Sequence, residues 1–260
     1  MLLALDAGNT NITVGVFEGH KLVTQWRHES DVAGPEVLGR LLADQARRRS
    51  LQITAAVFGS VVPRLDGVID RAVRSRFGVT AHAVTPKSRL GIALRVRRPG
   101  QVGADRLLNA LAAHERSGRS AAVVLDFGTA TTFDCVAPDG GYLGGAILLG
   151  PNLAAEALHR RTAKLPLVPV AKPKRVIGRD TVECIEAGLY FGYLGMIREV
   201  LERTIDELRK MGHDRPRLLA TGGLAHLFKG DLPKTMSVVP ELTLEGLRIA
   251  FERLSRGNKE

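Results

Sequence analysis

The chain is poor in cysteine and in aromatic residues and has no long apolar run. Each shortage removes a class of protein. Its 260 residues include two cysteines, Cys135 and Cys184, which form no CxxC pair and no metal-ligand spacing. A disulfide scaffold is therefore not expected, and both are read as buried free thiols of a reducing compartment, the cytoplasm. No apolar stretch approaches the roughly 20 residues of a membrane-spanning helix. The opening "MLLALD" meets Asp6 before a signal-peptide core could form, so no membrane partner is expected. Aromatic residues make up 5% of the chain. Few of them stand among the basic clusters at Arg47 to Arg49, at Arg95, Arg97 and Arg98, at Arg160-Arg161 and at Lys172 to Arg175. That leaves no stacking platform for single-stranded nucleic acid. The net charge of +10 could draw a polyanion, but the basic residues are scattered, as on a solvated surface, and would attract small anionic substrates equally. Two nucleotide motifs are also missing: there is no GxxxxGK[ST], and no GxGxxG follows a strand.

What is present is a pattern written twice. When each residue is compared with the one 120 places on, Leu5, Asp6 and Gly8 fall on Leu125, Asp126 and Gly128. Each Asp-x-Gly follows an apolar strand and gives way to hydroxyl or amide residues: Asn9, Thr10, Asn11 and Thr13 in the first copy, Thr129, Thr131 and Thr132 in the second. Both copies then run on as hairpins, turning at "EGHK" and "PDGG". Around them, helices are expected over 35–49, 64–77, 103–117, 152–163, 181–211 and 243–256, with short strands at 55–63, 81–85 and 217–223. Asp180 is the expected N-cap of the long helix, with Glu183 three residues on. Alternating strands and helices in both halves argue an α/β fold, with domains over 1–117 and 118–260.

A phosphate needs backbone N–H groups that approach it closely. Gly permits that approach, and small hydroxyls or amides add donors without bulk. An Asp at the strand mouth cannot contact phosphate, but it can hold Mg²⁺ or its waters. Two such loops would supply donors and cation ligands to one polyphosphate. A third glycine pair, Gly222-Gly223, ends a strand and would let a base or ribose lie against the backbone. In "GADRLLN" (103–109), Asp105 and Arg106 open a helix whose N-terminus favours an anion. Arg106 could fork onto a substrate carboxylate, and Asp105 could take or orient the proton of an attacking hydroxyl. The same two residues would also suit an ordinary helix start.

Together these pieces resemble the type III pantothenate kinases, a family related to the Bvg accessory factors. The carriers are "DAGNTNITVG" (6–15), "GSVVP" (59–63), "PGQVGADRLLNA" (99–110), "VLDFGTATTFD" (124–134), "GGAI" (144–147), "TAKLP" (162–166), "IGRDTVECIEAGLYFGY" (177–193), "ATGG" (220–223) and "LTLEGL" (242–247). The resemblance implies two ribonuclease-H-like domains of the acetate and sugar kinase, Hsc70 and actin superfamily, related by internal duplication. It implies ATP-dependent phosphorylation of pantothenate, the first step towards coenzyme A. By motif match, Asp6, Ala7, Gly8, Asn9, Thr10, Asn11, Ile12 and Thr13 would hold ATP phosphates, joined by Thr129. Val96, Gly103, Ala104, Asp105 and Arg106 would line the pantothenate site, with Asp105 the proton acceptor. Asp126 would bind a monovalent cation, K⁺ or NH₄⁺, and Asp6 would serve Mg²⁺. Thr181 would reach pantothenate across a homodimer interface, which Gly188, Gly192 and Gly195 suit as small residues on one helix.

Two departures from the family pattern stand out. Val96 occupies the place usually held by a Tyr that touches pantothenate. Gly150-Pro151 reverses the usual Pro-Gly, which should change the residue able to take a positive φ and so the turn of the loop. The altered acceptor segment motivates a second reading, a non-catalytic ATP-binding accessory protein on the same fold. A third, a two-metal nuclease, lacks the converging carboxylates such a site needs.

Overall fold

The computed structural model describes residues 1–118 and 120–257, which form two units. In the first, β1 (Leu2–Ala7), β2 (Asn11–Glu18) and β3 (Lys21–Glu29) form an antiparallel meander. β4 (Ala55–Ser60) and β5 (Ala81–Val84) add in parallel, giving the order β3-β2-β1-β4-β5. The central strands are nearly all apolar because both faces are covered. The edge strand β3 alternates exposed and half-buried positions because it is not. α1 (Pro35–Arg48) and α2 (Pro63–Phe77) each open on a proline, whose missing N–H costs nothing in the first turn. Their stripes, Leu38-Leu42 and Leu65-Ile69-Ala72-Val73, pack with Leu5, Ile12, Val14 and Phe58 into one core.

The other face carries α3 (Ala104–Ser117) and α8 (Leu242–Gly257), and glycines let them settle. A Cβ on Gly15 would lie 2.9 Å from a Leu244 methyl, and one on Gly59 would lie 2.7 Å from a Leu108 methyl. Gly246 sits so close to α3 that its Cβ would fall 2.2 Å from the Leu108 carbonyl oxygen. The last helix therefore belongs with the first unit, as do Gly140–Tyr142.

The second unit repeats the plan in β6 (Ala122–Phe127), β7 (Ala130–Val136), β8 (Tyr142–Leu149), β9 (Arg217–Thr221) and β10 (Ser237–Val238), in the order β10-β9-β6-β7-β8. β6 pairs antiparallel with β7 and parallel with β9. α4 (Pro151–Arg161) follows β8. A long helix then begins as α5 (Thr181–Ala187), passes through a π-turn at Gly188–Gly192 and continues as α6 (Tyr193–Lys210). α7 (Ala225–Phe228) is a single turn. Phe127, Tyr190, Tyr193 and Phe228 stack or tilt against one another within 5.0–6.4 Å in the core of this unit.

The duplication is exact in register up to the turn and shifts after it. Asp6 pairs with Thr13, and Asp126 with Thr132 rather than Phe133. The second turn is one residue shorter, so the offset of 120 drops to 119 beyond it. Cys135 is buried and in no disulfide, as expected. Cys184 is in no disulfide but exposed, because it lies on the face of α5 that lines an open groove.

Candidate active site

In the first unit, the turn after β1 is held from below. The Ser30 hydroxyl donates to the Gly8 carbonyl at 2.6 Å, and the Ser30 N–H donates to Thr10 O at 2.9 Å. Gly8 N–H closes the turn on Asn11 O at 2.9 Å. With the turn carbonyls engaged underneath, Asn9, Thr10 and Asn11 stand exposed, while Ala7 and Ile12 are buried in the flanking strands. Asp6 and Thr13, paired across the strand mouth, are half-buried. This is an exposed donor-rich turn on a rigid base, the arrangement a phosphate needs. Ser30, 99% covered, gave no signal in the sequence. Its role depends on β3 returning to the turn.

The "GADR" segment lies in the same unit. Val61 N–H donates to Ala7 O at 3.0 Å, and a Val61 methyl lies 3.4 Å from where a Gly103 Cβ would be. The end of β1 and the start of α3 therefore share one neighbour. Gly103 leaves room for the Asp105 side chain as it stands, since a Cβ there would lie 2.4 Å from Asp105 Oδ1. That oxygen accepts the Arg106 N–H at 2.8 Å. Burial pushes the Asp105 carboxyl above its ordinary pKa, against the opposing pull of the Arg106 N–H and charge. Ala104 is buried at the helix start. The Arg106 guanidinium lies over the Tyr142 ring, 5.8 Å from its centroid. Val96 is half-buried, two residues after the Leu94–Tyr142 bridge.

In the second unit, Gly128 and Thr129 are exposed at the turn. Gly150 packs directly beneath them, where a Cβ would lie 2.1 Å from the Thr129 carbonyl oxygen. Its φ is −70°, so the expected change of positive-φ residue is not what this position uses. The need for glycine is close approach, and positive φ falls instead at Gly144 and Gly145. Pro151 then opens α4. Gly222, at φ +89°, abuts the other side of the turn: its Cβ would lie 2.5 Å from Asp126 Oδ1 and 2.6 Å from the Phe127 backbone. The Tyr193 hydroxyl and Thr131 Oγ1 share a hydrogen bond, and burial, with Asp126 adding to it, pushes the Tyr193 pKa up to about 12. The Tyr193 contact gave no signal in the sequence, because a helical Tyr looks like ordinary core.

Asp180 caps α5, accepting Glu183 N–H at 2.8 Å, and Glu183 reaches back to Arg179 N–H at 2.9 Å. Thr181 follows, exposed. It lines an apolar groove of about 610 Å³ together with Pro151, Leu158, Cys184, Tyr193 and Met196. Among the described residues no group of three or more His, Cys, Asp or Glu could hold a metal. Single carboxylates beside donor-rich turns, such as Asp6 and Asp126, are of the kind that can suit Mg²⁺, which keeps several waters and takes one or two carboxylates.

Solved structures with this fold place it in a class. A Campylobacter jejuni structure described as a Baf family transcriptional activator matches with a TM-score of 0.59 at 14% identity, covering 98% of this chain and 99% of that one. MreB5 of Spiroplasma citri bound to ADP matches with a TM-score of 0.55 at 12% identity, covering 100% and 98%. With its two sheets of matching plan, the protein has the duplicated ribonuclease-H-like fold of the acetate and sugar kinase, Hsc70 and actin superfamily. Within that class, residues 2–203 match the family model of type III pantothenate kinase. The type III pantothenate kinase of Geobacter sulfurreducens is 43% identical over 258 residues, covering 97% of this chain and 99% of its own. The chain belongs to the type III pantothenate kinase family.

Proposed function

We infer that the protein transfers the γ-phosphoryl group of ATP to the primary hydroxyl of pantothenate, the first step of coenzyme A biosynthesis. Full-length similarity to a type III pantothenate kinase carries the reading, and the partly desolvated carboxylate of Asp105 at a helix start suits its chemistry. Pantothenate lies with its carboxylate on Arg106 and its hydroxyl at Asp105, beside Val96, Gly103 and Ala104. The hydroxyl oxygen bonds to the γ-phosphorus as the bridging P–O bond breaks, Asp105 takes the hydroxyl proton, and ADP leaves. Asp105's raised pKa makes it a better proton acceptor than an ordinary carboxylate. The turns Asp6–Thr13 and Gly128–Thr129 hold phosphate oxygens through N–H and hydroxyl donors. Asp6 would hold Mg²⁺ and Asp126 K⁺ or NH₄⁺, cations that neutralise phosphate charge when bound.

The protein works as a cytoplasmic homodimer. Support comes from the apolar groove that carries Thr181, and from Gly188, Gly192 and Gly195, where an added Cβ would meet nothing within 4 Å. Those glycines present bare backbone that their own unit does not use. Met196 is 47% exposed beside them. Met196→Glu is expected to convert the dimer to monomer by light scattering and to raise the KM for pantothenate about tenfold or more, since a buried carboxylate costs several kcal/mol unpaired. A monomeric wild type would remove the dimer reading.

The direct test is phosphopantothenate formation by purified protein with Mg-ATP, in potassium and in sodium. Potassium-dependent product is expected. Tight ATP binding with no product in either salt would favour the non-catalytic accessory reading.

A further inference from the structure

We propose that Tyr142 is the positioning residue of the acceptor pocket, its ring orienting Arg106 and its backbone anchoring the segment that bears Val96. This rests on the assignment of Arg106 to the pantothenate carboxylate. Tyr142 is 1% exposed and so offers a rigid ring. Its N–H donates to Ala93 O at 2.8 Å, and its carbonyl accepts Arg95 N–H at 2.9 Å. Together with the parallel bridge to Leu94, these bonds fix the strand piece immediately before Val96. Gly141 assists, since a Cβ there would lie 2.7 Å from the Arg95 guanidinium carbon.

Arg106 starts a helix and carries a long, rotamer-rich side chain. A guanidinium grips a carboxylate well only when its planar fork is held in one orientation. The Tyr142 face, 5.8 Å from the guanidinium carbon, supplies that orientation and attracts the cation through the ring quadrupole. Val96 has no aromatic face to offer, so the ring that can orient Arg106 comes from Tyr142 rather than from the Val96 segment. Tyr142 thereby sets the preference for alcohols that carry a carboxylate over neutral analogues.

The test compares wild type with Tyr142→Phe, Tyr142→Leu, Arg106→Met and the Leu/Met double variant. Each is assayed with pantothenate and with its neutral alcohol analogue pantothenol. Tyr142→Leu should raise the KM for pantothenate roughly fivefold to thirtyfold, with kcat within about twofold, while Tyr142→Phe restores it. Pantothenol should show the same KM in wild type and Tyr142→Leu. On an Arg106→Met background the Leu change should add little, because the two residues act as one unit. Equal losses on both substrates, or an effect that adds in full to Arg106→Met, would overturn the proposal. If Arg106→Met leaves the pantothenate KM unchanged, the carboxylate assignment itself fails and the inference with it. Tyr142→Met, which fills similar space without a π face, replaces the Leu variant should that chain not fold, and must give the same selective loss.

Discussion

Asp105→Asn is expected to lower kcat by about 10² to 10⁴ while leaving the protein at least as stable as wild type at neutral pH. The amide keeps the Oδ1 acceptor for the Arg106 N–H but cannot take a proton. The stability half follows from the sign of the shift. Burial raises the carboxyl's pKa in the folded chain, so the folded state holds that proton more tightly than the unfolded one. The stabilisation is fully present below the ordinary Asp pKa of about 3.9 and is lost as pH rises through the folded value. At neutral pH the ionised Asp105 therefore costs stability, and Asn removes that cost. Thermal melts of both proteins across the acidic range should show the Asn variant's advantage shrinking as pH falls. The same shift sets the acid limb of wild-type kcat/KM above the ordinary Asp range. A variant that melts well below wild type at neutral pH would make Asp105 structural rather than a strained catalytic group.

Gly222→Ala is expected to raise the KM for ATP more than about tenfold and to abolish potassium activation. Two independent costs coincide at this residue. Its φ of +89° strains any L side chain, and the new methyl would enter within 2.6 Å of the Phe127 backbone and 2.5 Å of Asp126 Oδ1. Backbone strain of this kind costs about 1–3 kcal/mol, and the clash can be relieved only by moving the Asp126–Thr129 turn. Steady-state kinetics in potassium and sodium, alongside a melt, separate the outcomes. A folded variant with unchanged ATP affinity and intact potassium response would remove Gly222 and its turn from the nucleotide site.

Much of the fold was legible in the sequence because its signals are local. Pro35 opens a helix where expected, Asp180 caps the long one, and the helix expected over 243–256 is observed as Leu242–Gly257, whereas Pro63, expected to close the strand over 55–63, opens α2 and the strand stops at Ser60. The repeated Asp-x-Gly turn was legible too, since a strand running into small polar residues is written in consecutive positions. The register after the second turn was not. One missing residue there moves Thr132 opposite Asp126, and only the strand pairing reveals it. The exposure of Cys184, against the expected burial, was not legible because it depends on which face of α5 is left open, which composition cannot disclose.

By itself, then, the sequence determined the two sheets, the paired Asp-x-Gly turns, the helix starts and the family to which the chain belongs, all properties of contiguous segments. Tertiary structure alone decided that Ser30 braces the first turn, that Gly150 and Gly222 pack against the second, and that Tyr193 meets Thr131. It also decided that α8 joins the first unit and that Tyr142 lies under Arg106. The reason is physical: each of these depends on how closely distant backbones approach, and a glycine or buried ring in sequence does not say which partner it admits.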